Sequence, residues 1–441
     1  MSSLTPLWPF ATVLLVIHSC YSFPTDLSTS PELQVDASVS AQVCTHVRSI
    51  LGIIFLCLVS LVACSWNAVH PNIPGVDEGR WIIWLRRVLI MVLVVITPEL
   101  LLVWVLQQFT SAGSAARAFN EWRAASVTGS QYEAWNRTHG FFAEMGGFQL
   151  YVNGVSYCPL TVGELTRYID RGAVTVPPIT EEEIRDRSKN DGFNKVLAVS
   201  EIVWFFLQFL VRVAYKLPPT LLEIETLRLI MLSFITWGLW WKKPKDVHRP
   251  YRVEWKLEES PAELELGTAT RHGLVDALIR PIISASRLHA INVVSESAVK
   301  ARRVSTFHSG CLDQRVAYSK QDRKTLLLLT GATVLFGSVH FFSVIYPFPT
   351  PFERRNWFFC TGALLSLPLI FSCGACFRSD EDFLPAKPMS WIIEFLLAAV
   401  TLFYLCIRLI TFILLVQSFQ TLPSGALQVV CWITSVPHLF S

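Results

Sequence analysis

The sequence is short of charge. Only 16% of its 441 residues are Asp, Glu, Lys or Arg, while 52% are hydrophobic; a soluble domain carries about 25% charge. That deficit excludes a disordered chain and argues against an ordinary soluble enzyme. The net charge is only +3, and no fold-sized stretch is basic and free of acids, so nucleic acid is excluded as a partner. Signatures of known chemistry are missing too. There is no H-E-x-x-H, G-x-S-x-G, P-loop or dinucleotide fingerprint. No paired-aspartate motif is present to hold magnesium on a diphosphate, and no His and Cys have metal-ligand spacing. No metal site and no cofactor are therefore expected. Internal repeats and low-complexity tracts are absent. The 11 cysteines make no disulfide framework, because most lie in or beside apolar blocks; Cys373-Gly374-Ala375-Cys376 closes such a block without a partner pair.

What is there comes in apolar blocks of the length that crosses a bilayer as a helix. The run from Trp8 to Ser22 has the length of a signal-peptide core, although no Lys or Arg precedes it. A polar segment, 23–47, follows. Seven blocks then read as spans: 49–66, 84–107, 195–214, 221–241, 324–346, 357–377 and 391–417. The expected fold is therefore all-α: a polytopic transmembrane helical bundle of about seven spans after an N-terminal signal peptide (1–22). Its organisation is 48–107 (two spans), a long polar segment 108–194, 195–241 (two spans), a basic, helical segment 242–323, 324–417 (three spans) and a tail 418–441. Cations flanking 242–323 place that segment in the cytosol by the positive-inside rule, which conflicts with a cleaved signal. The sequon at Asn136 is a glycosylation acceptor only if 108–194 is luminal.

Ionisable residues at membrane depth are costly, so each is a functional candidate. Glu99 stands directly after Pro98 in the purest block. Pro98 opens the helical hydrogen-bond ladder, and a desolvated carboxyl beside it is expected to hold its proton at neutral pH. That suits a proton donor, a relay, or a hydrogen bond between helices. Glu223 and Glu225 open the fourth block, with Arg228 an i,i+3 partner of Glu225. Arg212 is expected to snorkel. Glu394 and Arg408 are too far apart on one helix to pair, and His340 reads as a packed core imidazole.

Outside the blocks, Trp66 to Gly75 contains two prolines and reads as a rigid exit turn; His70 and Asn72 in it can bond a headgroup or ligand. His139 and Glu144, within HGFFAEMGGF, are candidates for an acid–base pair; Phe141, Phe142 and Phe148 either dip into the interface or wedge against the bundle. Glu181, Glu182 and Glu183 read as a solvated helix face after a capped start. Lys242, Lys243 and Lys245 form a cluster for anionic lipid.

Several strings together are familiar: Trp66 with HPNIPG, Pro98-Glu99, HGFFAEMGGF, IRDRSKNDGFNK, LEIETL, WWKKPKDV and the terminal stretch from Trp432 to His438. Their order resembles a large family of uncharacterised fungal multi-pass membrane proteins. The resemblance covers roughly 48–250 and the last third of the chain. It implies a fungal source and a signal followed by helical spans, and no agreed activity.

Three function classes fit. The first is an enzyme or accessory factor of metabolite biosynthesis handling a lipophilic small molecule, with Glu99, His139 and Glu144 as the chemistry. The second is a transporter or channel. The third is a membrane scaffold or sensor that binds cytosolic partners or anionic lipids through its basic loop. Membrane lipids are the expected partners, in the endomembrane system or the plasma membrane.

Overall fold

The computed structural model describes residues 43–126, 132–188, 192–258, 302–304, 306, 330–331, 334–377 and 390–430. The expected signal peptide, most of 23–47 and most of 242–323 lie outside these residues, as does the tail beyond Val430. A short strand β1 (Val43–Val47) leads into helices α1 (Ile50–Ala68), α2 (Arg80–Ile96) and α3 (Pro98–Ala125). Helix α4 (Arg137–Glu144), strands β2 (Phe148–Val152) and β3 (Val155–Pro159), and helices α5 (Val162–Asp170) and α6 (Glu181–Arg187) follow. Next come α7 (Gly192–Ala214), α8 (Leu221–Leu239) and strand β4 (Tyr251–Glu254). A 3-10 segment (Val339–Ile345), α9 (Pro351–Phe377), α10 (Ser390–Gln417) and strand β5 (Gln428–Val430) complete the order.

Local chemistry sets many of the element boundaries. Thr161, Thr180 and Thr220 each cap a helix through a reciprocal bond with the Glu three residues on, which satisfies otherwise orphaned backbone donors. The capped start expected before Glu181 is the second of these. Asn153 and Gly154 both take positive φ, 50° and 78°, and turn β2 into β3 as a hairpin.

The block 84–107 is not one straight helix. It breaks at Thr97, and α2 and α3 meet at 113°. Pro98 explains the break: it disfavours helical dihedrals in the preceding residue, and Thr97 sits at φ −132°, ψ 68°. Pro98 itself occupies the first turn of α3, where its missing N–H costs nothing.

Two packed regions share α3. Its N-terminal part packs with α1, α2 and α8 around Trp104, Leu102, Phe141 and Trp240. Beside it, α1, α7, α8 and the 3-10 segment bury Ile53, Phe205, Ile224 and Trp357. The C-terminal part of α3 joins α4 to α6 and a three-stranded sheet, ordered β3-β2-β4, around Phe119, Trp135, Phe142 and Phe148. Strand β4 lies parallel to β2, with Phe148 opposite Tyr251 and Leu150 opposite Val253. Rings of Phe119 and Trp135 stack at 3.8 Å and those of Trp135 and Phe148 at 5.3 Å. Each such buried aromatic contributes about 1.5–3 kcal/mol. A second, two-stranded sheet pairs β1 with β5 and ties the two ends of the described chain together.

This architecture corrects the all-α, seven-span bundle. The polar segment 108–194 and the start of 242–323 fold together as a mixed helix-and-sheet unit. Among the described residues, α1 alone is a single helix long and apolar enough to cross a membrane, and the bent pair α2–α3 adds one candidate. The other blocks fall short for visible reasons. Helix α8 carries Glu223, Glu225 and Arg228; the fifth block ends in a 3-10 segment; the apolar stretch described in α10 is the short run Leu402–Gln417. Hydropathy averaged over a block does not register a bend or a change of helix type.

Candidate functional site

The first polar centre lies inside the helical body, at the break between α2 and α3. Pro98 starts α3, so Glu99 falls in its first turn and faces α8 and α10. Tyr404 Oη donates to Glu99 Oε2 at 2.6 Å. Arg408 donates to Glu99 Oε1 and, through Nε, to Tyr404 Oη at 3.3 Å. Arg228 donates from Nη1 to Glu99 Oε1 at 3.2 Å and from Nε to Glu225 Oε2 at 2.9 Å. His340 Nδ1 stands 3.1 Å from Glu225 Oε1. The guanidinium of Arg228 also lies over the Phe336 ring at 4.7 Å. Side-chain exposure is 2% for Arg228 and 9% for Arg408.

Of the roles open to Glu99, the bond between helices is the one the geometry meets, with α3 tied through it to α8 and α10; a lone carboxyl holding a proton is not what stands there. Its carboxylate accepts from two guanidiniums and a phenol, and these partners are donors toward it. Two acids and two arginines balance in charge, which is the condition under which buried ions persist. Such a centre supplies fixed charges to orient a polar group within an apolar body. His340 is buried as expected, but it faces a carboxylate. Arg212 does not snorkel: it is buried and donates to the carbonyls of Pro218, Gly425, Ala426 and Gln428. A buried tail backbone with unspent carbonyls holds it. The side chain of Glu394 lies outside the described residues.

The second centre gathers the turn after α1, helix α3 and the exit of α8 around Lys243. The Trp66–Gly75 turn brings His70 and Asn72, α3 brings Trp104 and Gln108, and the exit of α8 brings Trp240. Lys243 Nζ donates to the His70 carbonyl and to Gln108 Oε1, the latter at 2.7 Å. Gln108 Nε2 donates to Asn72 Oδ1 at 3.1 Å. The ammonium sits 3.9 Å from the Trp240 ring centre and 5.1 Å from that of Trp104. Burial pushes the Lys243 amine well below the usual lysine range. His70 and Asn72 face inward here. Lys243 and Lys245 are only 4% and 8% exposed, so the expected lysine cluster reaches the surface through Lys242 alone. Lys245 is drawn in toward the Asn67 carbonyl.

The third expected pair does not form. His139 caps the start of α4 through Asn136 and meets the Ile179 carbonyl at 3.1 Å through Nε2. Burial, the largest influence, lowers its pKa, against the pull of that carbonyl and of Glu181. Glu144 ends the same helix, while both ring nitrogens of His139 are engaged by these other partners. Phe141, Phe142 and Phe148 are core residues, at most 1% exposed, and reach no interface. They are buried because Gly140 lets α4 sit directly on α3: a Cβ there would stand 1.9 Å from the Ala112 carbonyl oxygen. Asn136, the sequon residue, is half-buried and bonded to Glu181. Among the described residues, no group of His, Cys, Asp and Glu is placed to hold a metal ion.

Tyr404, Trp104, Gln108 and Trp240 were not legible as site residues. They are ordinary side chains in apolar blocks, and only their neighbours give them a role. A signal did exist for the first centre: Glu99 and Arg408 are isolated charges of opposite sign in apolar blocks, and such charges need partners.

Residues 17–272 match the model of a family of unknown function, DUF8562. That match spans more than half of the 441 residues. The chain belongs to this family. No curated protein and no solved structure matches it.

Proposed function

We propose that this member of DUF8562 is a membrane-embedded protein of fungal origin that handles a lipophilic small molecule, as an enzyme or accessory factor of metabolite biosynthesis. The observation that carries this reading is an inside-out distribution of polarity. Ionisable and phenolic side chains from α3, α8, the 3-10 segment and α10 meet in the interior around Glu99. Large apolar side chains face outward on the helices: Leu51 and Val62 on α1, Trp81 and Leu89 on α2, Val203 on α7, and Leu402 and Phe412 on α10, each 45–77% exposed. Water penalises both halves of that arrangement, whereas hydrocarbon rewards the outer half. The fungal assignment rests on the ordered strings from HPNIPG to WWKKPKDV. A polar centre enclosed in apolar helices is what orients the single polar group of a hydrophobic ligand.

The test is extraction. The full chain is expected to stay in carbonate-washed membranes and to need detergent. An organic extract of the purified protein is expected to contain a lipophilic compound in stoichiometric amount, depleted in Tyr404→Phe, which removes one donor of the centre. Recovery in the detergent-free supernatant overturns the membrane reading. Identical extracts from both proteins overturn the ligand reading.

A further inference from the structure

The polar centres described above leave one feature of the described surface unused. Beside the start of α9 lies an open groove of about 360 Å³, lined by Phe348, Thr350, Pro351, Arg354, Arg355 and Phe358. We propose that this groove binds the phosphate headgroup of an anionic glycerophospholipid, with Arg354 and Arg355 holding the phosphate. The proposal rests on the membrane-embedded reading and names a lipid partner for it.

Charge complementarity carries it. Five buried or half-buried arginines of the described chain are spent on acids: Arg48 on Glu223, Arg86 on Glu78, Arg87 on Asp246, Arg228 and Arg408 on Glu99. Arg354 and Arg355 are exposed, and among the described residues neither guanidinium has an ion pair or a hydrogen bond. Their single ring contact is Arg355 over Phe352, at 5.6 Å. Glu353, the acid in the same turn, does not line the groove. Two guanidiniums in one groove whose lining holds no acid suit the oxygens of a phosphate.

The surroundings distinguish a lipid from a free anion. Phe352 and Phe359 are 62% and 63% exposed beside the groove, and Phe341 and Val344 in the preceding 3-10 segment are 62% and 56% exposed. The groove wall itself is aromatic, with Phe348 packed 6.0 Å from Phe358 and 5.0 Å from Tyr346. Cations beside exposed aromatics form the pattern of a headgroup-level anchor. A free phosphate gains nothing from that apolar rim, whereas the glycerol and upper acyl carbons of a lipid do.

The full chain in nanodiscs of mixed phosphatidylcholine and phosphatidylglycerol, released into a native mass spectrometer, tests this. Retained phosphatidylglycerol is expected to exceed its share of the disc. The enrichment is expected to fall on the order of tenfold in the double variant Arg354→Gln, Arg355→Gln, and millimolar inorganic phosphate is expected not to displace it. Equal enrichment in the variant overturns the proposal. Displacement by inorganic phosphate also overturns it, in favour of a free-anion site. Should the chain not embed, titration with soluble dihexanoyl phosphatidic acid decides separately: binding lost in the double variant supports the groove, and equal binding, or none to the native chain, sinks it.

Discussion

Glu99 shows how far a residue's chemistry depends on what faces it. Alone among leucines it reads as a proton carrier or as a bond between helices; between Arg228 and Arg408 it is the counter-ion in such a bond. Breaking a buried ion pair from one side costs about 3–5 kcal/mol, because the partner charge is left without compensation. Losing one hydrogen bond costs about 1 kcal/mol. Thermal unfolding in detergent should therefore rank Glu99→Gln far below Tyr404→Phe in stability; equal losses would show that these groups do not act as one centre. Glu78 offers a pH-dependent counterpart. Burial alone would raise its carboxyl, but Arg303 and Arg86, with the Gly75 N–H, hold it below its ordinary 4.5. Its folded value lies below its unfolded one, so its contribution is complete above about pH 4.5 and is lost as pH falls through the folded value. Unfolding midpoints measured from about pH 6 down to about pH 3 should show a steeper acid limb for the native chain than for Glu78→Gln. Parallel curves would remove this assignment.

At the scale of elements, two glycines act for different reasons. Gly154 needs its positive φ, and nothing lies within 4 Å of the Cβ it lacks. Gly140 needs the missing atom itself, because α3 occupies that place. Gly154→Ala should cost about 1 kcal/mol through backbone strain alone. Gly140→Ala should cost about 3 kcal/mol or more, because it forces α4 off α3 and opens the core around Phe141 and Phe142. Chemical denaturation of the two variants checks the order. The hairpin's signal, Asn153-Gly154 between runs rich in β-formers, stands in the sequence, but the all-α expectation passed over it. Strand β4 was not legible: a parallel partner arrives by a long connection, and nothing in Tyr251–Glu254 names Phe148–Val152 as its neighbour. The bend at Thr97 was legible in Pro98, which the sequence reading used for its freed carbonyl and not for the direction of the chain.

At the scale of the whole molecule, the outward apolar faces and the inward charges belong to one arrangement. Leu58, half-exposed near the middle of α1, probes the environment of that surface. If hydrocarbon lies there, Leu58→Lys costs about 3 kcal/mol on insertion scales and should sharply reduce the membrane-inserted fraction after carbonate extraction. If water lies there, the change is close to neutral, and an unchanged fractionation profile would count against embedding. The basic segment gave the clearest overestimate at this scale. Counted along the chain, Lys242, Lys243 and Lys245 form a surface cluster; folded, Lys243 and Lys245 serve the interior, held by carbonyls and, for Lys243, by indole faces.

The sequence by itself determined the abundance of apolar helix, the capped start at Thr180, and which ionisable residues lie among apolar neighbours. These depend on composition and on contacts within a few residues. Only the tertiary structure decided that Glu99 meets Arg408, that His70 and Gln108 hold Lys243, and that β4 completes a sheet with β2. Those pairings join distant parts of the chain, and their partners are chosen by shape and by the need of each buried charge or carbonyl to be met. No local periodicity encodes that need.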